Sequence, residues 1–114
     1  MLTSGDVVDL NLGAPTGGEA GFRRPAVVVS AQRILDAQPS VVHVVPLTSN
    51  IRWFASEVEI DADPSNGLDH RSAAQCQHIR AVAATRLDAK RGNVGSAALA
   101  QIRDLLGLIL DIPS

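Results

Sequence analysis

Arg24-Pro25-Ala26-Val27-Val28-Val29 and, further on, Val41-Val42-His43-Val44-Val45-Pro46-Leu47-Thr48-Ser49 decide the fold of this chain. Unbroken runs of β-branched residues, each too short for a helix, are the mark of strands buried on both faces. The reading places one strand over Pro25–Ser30 and another over Val41–Val45, the second ended by Pro46. Between them, residues 31–38 hold one apolar spot, Ile34 and Leu35, and predict a short helix. Upstream, residues 6–12 alternate, with Val8, Leu10 and Leu12 set against Val7, Asp9 and Asn11, as in a half-buried strand. Downstream, Glu57-Val58-Glu59-Ile60 alternates too. Residues 72–84 predict one bent strand or two joined strands, and Gly92–Gly95 a turn or a short strand. The clearest helix comes last. Ser96 is placed to cap it, Leu99, Ile102, Leu105, Leu106, Ile109 and Leu110 recur at helical spacing, and Pro113 lies beyond its end. The sum is a mostly β, α+β domain of five or so strands with a C-terminal helix.

The 114 residues, 46% of them hydrophobic, make one domain over residues 1–114, because two separate cores would each be too small. No apolar run approaches the roughly 20 residues that span a bilayer, and the start, Met1-Leu2-Thr3-Ser4-Gly5-Asp6, has neither a basic stretch nor an apolar signal core. A cytoplasmic protein with no membrane partner is expected. Cys76 is alone, so no intrachain disulfide forms, and it reads as a small buried apolar side chain. A net charge of −2 removes general basicity as an argument for nucleic-acid binding; only a local patch serves.

Three familiar motifs fail on inspection. Residues 13–18 have the glycine spacing of a phosphate-binding loop, but Glu19 stands where lysine must meet the phosphate. Asp61, Asp63 and Ser65 hint at a calcium loop, yet Asn66 replaces its glycine and Ser72 its bidentate glutamate. His43, His70 and His78 lack ligand spacing, and Cys76 has no second thiol, so no metal or other cofactor is expected.

What survives is a pair of strand ends. Arg23-Arg24-Pro25 closes the glycine-rich stretch of residues 13–21 and opens a buried strand. Proline holds the residue before it extended, so Arg24 starts the strand as a fixed, forked and permanently charged group suited to phosphate. Leu47-Thr48-Ser49-Asn50 ends the other strand in two hydroxyls and an amide. If the strands are neighbours, Arg24 and Thr48 face one phosphate. The plainer alternatives are an ion pair of Arg24 with Glu19 or Asp6, and an ordinary turn hydroxyl at Thr48.

In order, Gly5-Asp6-Val7, Gly18-Glu19-Ala20-Gly21, Arg24-Pro25-Ala26-Val27-Val28-Val29 and Leu47-Thr48-Ser49 resemble the MazF/PemK toxin family. Arg71-Ser72 through Gln77, Ile79 and Arg80, then Arg86-Leu87, Gly92-Asn93-Val94-Gly95 and Leu106-Gly107-Leu108, extend the likeness over nearly the whole chain. The resemblance implies a small barrel of SH3-like strands, of the CcdB/PemK type, with short helices and a homodimeric assembly. It implies a toxin that cleaves single-stranded RNA (messenger, ribosomal or transfer) without metal, leaving a 2′,3′-cyclic phosphate and a 5′-hydroxyl. It also implies a MazE-like antitoxin whose disordered tail lies along the dimer groove. By the same likeness Arg24 and Thr48 are the catalytic pair. RNA carries its own nucleophile, so a site that orients the 2′-hydroxyl and stabilises the charged phosphorane can work without a metal. For RNA binding, Glu19 and Gln77 are candidates to read base edges, and Arg23, Ser49, Asn50 and Arg52 to hold the backbone. Trp53, beside Arg52, is a candidate stacking ring or a core or dimer contact, and His70 and His78 are candidate proton carriers. With aromatic residues at 3% and tyrosine absent, few bases can be stacked. A non-catalytic gyrase-binding toxin of the CcdB type, or an inactive SH3-like module, are the competing readings; the former ends in a tryptophan-bearing tail, this sequence in Asp111-Ile112-Pro113-Ser114.

Overall fold

The computed structural model describes residues 1–11 and 23–113. The glycine-rich stretch with Glu19, and Leu12 at the end of the first expected strand, lie outside the described residues. The element order is β1 (Asp6–Asn11), β2 (Arg23–Val28), α1 (Gln32–Asp36), β3 (Val41–Thr48), β4 (Glu57–Ile60), β5 (Ser72–Gln75), β6 (Arg80–Ala83), β7 (Leu87–Asn93) and α2 (Gly95–Ile109). Single 3-10 turns at Cys76–His78 and Ala84–Arg86 separate β5 from β6 and β6 from β7. The order across the sheet is β4-β5-β3-β2-β1-β7, with β6 also on β3, and every pairing is antiparallel.

The valine runs do lie in strands closed on both sides. On one face, Val7, Val27, Val45 and Leu47 pack with Leu99, Ile102 and Leu106 of α2. On the other, Val8, Leu10, Ala26, Val28, Val42 and Val44 pack with Leu35 of α1 and Val82. Val7 is thus as buried as Val8, and β1 is not the half-exposed strand its alternation predicted. Among the described residues seven strands form rather than five or so; β7 is foreseen only at its end, where Gly92 and Asn93 fall in the expected turn or short strand, because its Leu87-Asp88-Ala89-Lys90-Arg91 carries no apolar pattern.

Pro46 does not end β3. It pairs with Ala26 of β2, and the strand continues to Thr48. Its other edge changes partner at this point, from β6 over Val41–Val44 to β5 at Leu47 and Thr48. The N–H that proline lacks is therefore missed by neither neighbour. Helix α2 also starts differently from expectation: Val94 precedes it, Ser96 makes no capping bond, and Asn93 Oδ1 accepts from Gly95 N at 2.8 Å. Its last turn leaves Ile109 and Leu110 exposed.

Two glycines set how closely the 61–70 loop approaches β7. Gly67 has φ +67°, and a methyl group there would overlap the Arg91 carbonyl oxygen; one at Gly92 would overlap the Ser65 carbonyl oxygen. Asn66 is buried and braces the loop, its Oδ1 accepting from Asp63 N and Leu68 N and its Nδ2 donating to Asp61 O. This contact carries Leu68, Asp69 and His70 to the neighbourhood of β2 and β3.

Candidate functional site

The β2–β3 register brings the two strand ends together. That register closes with Ala26 across from Pro46, a pair of the non-hydrogen-bonded kind because proline donates no hydrogen bond. Arg24 and Thr48 lie two residues beyond it on their strands. Both residues have the same parity along their strands, so both project from one face.

Arg24 and Thr48 line one cavity of about 340 Å³ together with Ser49, Asp69, His70 and Arg91. Arg24 also lines a second cavity of about 520 Å³, with Gln75, Gln77, His78 and Arg80. It thus stands on the ridge between the two.

The electrostatics single out Arg24. Asp6, one of its conceivable partners, is fully buried and holds Lys90 Nζ at 3.2 Å, Asn93 Nδ2 at 3.1 Å and Thr3 N at 2.7 Å. Arg91 Nε donates to Asp9 Oδ1 at 2.8 Å, and its Nη1 lies 3.5 Å from Asp69 Oδ2. Arg23 turns to Asp88 at 3.6 Å, and Arg71 to Glu59 and Asp61. Among the described residues no carboxylate pairs with Arg24, which is exposed at the mouth of both cavities.

Thr48 is half-buried, and its Oγ1 accepts from Asn50 N at 3.1 Å. That bond engages an oxygen lone pair and leaves the hydroxyl hydrogen to donate. A cation and an O–H donor thus border one anion-sized space. Of the other expected site residues, Ser49 lines the first cavity and Gln77 the second, while Asn50, Arg52 and Arg23 are exposed and line neither. Arg52 N and Phe54 N both donate to Glu57 Oε1, at 3.1 and 3.4 Å, which holds Trp53 at φ +62°. Trp53 is 68% exposed, so it is not a core residue, and the Arg71 guanidinium lies 5.5 Å from its ring centroid.

Asp69 and Gln75 belong to the cavity walls and are not singled out by the sequence as site residues. Arg91 reaches the site from an edge strand and Asp69 from a distant loop, and neither is announced by spacing. Among the described residues no three His, Cys, Asp or Glu side chains converge as a metal site, and no helix is long and apolar enough to cross a membrane. Cys76 is buried, and burial pushes its thiol pKa up from 9.0 to about 11, so it is no nucleophile at neutral pH.

This arrangement of strands and cavities has relatives. Residues 3–110 match the family described as PemK-like, MazF-like toxins of type II toxin–antitoxin systems. Endoribonuclease MazF9 of Mycobacterium tuberculosis H37Rv is 37% identical over 117 residues, covering 98% of both chains. A MazE–MazF complex from Deinococcus radiodurans superposes with a TM-score of 0.78 at 25% identity over 96% of each chain. A mycobacterial endoribonuclease in complex with its cognate antitoxin gives 0.78 at 20% identity, over 100% of this chain and 99% of that one. The chain belongs to the PemK-like, MazF-like toxin family of type II toxin–antitoxin systems.

Proposed function

We propose that this toxin is an endoribonuclease that cuts single-stranded RNA without a metal, by attack of the 2′-hydroxyl on the adjacent phosphate. The O2′–P bond forms as the P–O5′ bond breaks, leaving a 2′,3′-cyclic phosphate and a 5′-hydroxyl. The supporting observation is that Arg24 and Thr48, near the ends of adjacent strands, line one cavity, the first without a carboxylate partner among the described residues and the second with its hydroxyl hydrogen left to donate. Arg24 meets the charge that grows on the non-bridging oxygens, and its fork fits two of them. Thr48 donates to a non-bridging oxygen and fixes the phosphate against rotation. Arg24 acts by charge rather than as a base, because a guanidinium with a pKa above about 12 does not give up its proton. Ser49 and Asn50 continue the backbone track, with Arg23 and Arg52 at its margins, and Gln77 reads a base edge from the second cavity. Glu19 is assigned to base reading by the family resemblance.

The protein works in the cytoplasm as a two-fold dimer with RNA bound near the shared interface, and a MazE-like antitoxin silences it by laying a disordered tail in that groove. The test is cleavage of a synthetic single-stranded RNA in excess chelator, with the product ends mapped. Cutting persists in chelator and is lost in folded Arg24→Ala and Thr48→Ala variants. If both variants cut like the parent, the site assignment fails. Sedimentation at micromolar concentration that shows only monomer would remove the dimer.

A further inference from the structure

Attack by a 2′-hydroxyl needs two proton movements that Arg24 and Thr48 do not supply: one off the nucleophile and one onto the leaving 5′-oxygen. In an in-line displacement these oxygens lie on opposite sides of phosphorus, so base and acid must too. Arg24 sits between two cavities, and each has one histidine in its wall: His70 on the side shared with Thr48, His78 on the side shared with Gln77. Both are exposed and so open to substrate. Histidine is the side chain whose ordinary titration spans neutral pH, where one imidazole can accept and another imidazolium can donate.

We propose that His70 and His78 are the acid–base pair of this enzyme, flanking a phosphate held on Arg24. One imidazole takes the 2′-hydroxyl proton as the O2′–P bond forms. The other, entering as imidazolium, gives its proton to O5′ as the P–O5′ bond breaks. Exchange with solvent then restores both. The groups facing His70 are Arg24, the neighbouring Asp69, and Arg91, whose charge is already shared with Asp9 and Asp69. Those facing His78 are Arg24 and Arg80.

The pair rests on the RNA-cleaving reading above, and one experiment separates the two. The pH dependence of kcat/KM for a short single-stranded RNA is measured for the parent, His70→Gln, His78→Gln and Arg24→Ala, with circular dichroism to show that each is folded. The parent gives a bell. Each histidine variant loses one limb and about 10²–10⁴-fold at the optimum. A substrate with sulfur in place of O5′ leaves without a proton, so it restores the rate of the one histidine variant that lacks the acid and not of the other. Two-limbed profiles at parental rate in both histidine variants overturn the pair while leaving the endoribonuclease reading in place. A parent protein that cuts no single-stranded RNA at any pH overturns the reading itself, and an Arg24→Ala variant that cuts at the parental rate removes Arg24 from the site. Rescue of both histidine variants, or of neither, overturns the division of acid and base between the two imidazoles.

Discussion

Gly67→Ala tests whether the site is built by the approach of the 61–70 loop to β7. Gly67 has φ +67°, where an L side chain costs about 1–2 kcal/mol. Its new methyl would also overlap the Arg91 carbonyl oxygen and come 2.9 Å from that carbonyl carbon, both backbone atoms of a paired strand. Neither can swing aside as a side chain would, so the loop must lift. Lifting strains the bond from Asn93 N to Ser65 O, 2.9 Å long, worth about 0.5–1.5 kcal/mol. The total is about 1.5–3.5 kcal/mol, which lowers the melting temperature of a domain this size by about 6–20 °C. Thermal unfolding followed by circular dichroism measures it. Gly107→Ala is the opposite case, since a methyl there meets nothing within 4 Å in mid-helix and gains about 1 kcal/mol. The consequence for function is separate from stability. Leu68, Asp69 and His70 follow Gly67 directly and line the cavity, so RNA cleavage assayed well below the melt falls further than the folded fraction does. A Gly67→Ala protein that melts within about 2 °C of the parent and cuts as fast would refute the argument that this contact shapes the site.

Arg24→Lys keeps the charge and loses the fork, and kcat/KM should drop by about 10²-fold or more in the cleavage assay. Thr48→Val, equal in shape but with no O–H, should lose activity that Thr48→Ser largely keeps; equal rates for the two would remove the hydroxyl from the mechanism. Asp6→Ala strands the Thr3 N–H and the Asn93 amide and should cost about 2–4 kcal/mol, read as a lower urea midpoint at unchanged slope. Cys76, pushed up to about 11 by burial, should resist a thiol reagent at about pH 8 until denaturant is added. Because the folded chain keeps this proton after the unfolded chain has lost it, stability is full below the ordinary thiol pKa of 9.0. It declines as pH rises from there through about 11, and Cys76→Ala should flatten that decline.

The parts of the fold legible in the sequence are those whose side chains face packing on a regular period. Val27 and Val28 enter opposite clusters, so β2 reads as an unbroken apolar run; Glu57–Ile60 alternates because Val58 and Ile60 alone enter the core. Strand β7 is opaque for the converse reason. It pairs with β1 through its backbone while residues 88–91 face water, and charge on an edge strand is what keeps further chains from adding to it. Pro46 misled for a subtler cause: whether proline ends a strand depends on what lies beside its nitrogen, and here β6 stops where β5 begins. The site divides in the same way. Arg24 and Thr48 are legible as polar ends of apolar strands, whereas Asp69 and Arg91 arrive through the Gly67 and Gly92 contacts, which no local pattern encodes.

Charge pairing explains how a chain of net charge −2 offers an anion site at all. Its acids are spent on particular bases: Asp88 on Arg23, Glu59 and Asp61 on Arg71, Asp9 and Asp69 on Arg91, Asp6 on Lys90. One of these pairs, Arg91 with Asp69, lines the first cavity, and each pair cancels a field that would otherwise spread over the surface. What is left along the cavity walls is Arg24 and Arg80, which among the described residues have no carboxylate partner, and both border the second cavity. Positive potential is therefore concentrated at one ridge instead of smeared over a basic face, and a phosphate is drawn to the place where Thr48 can meet it.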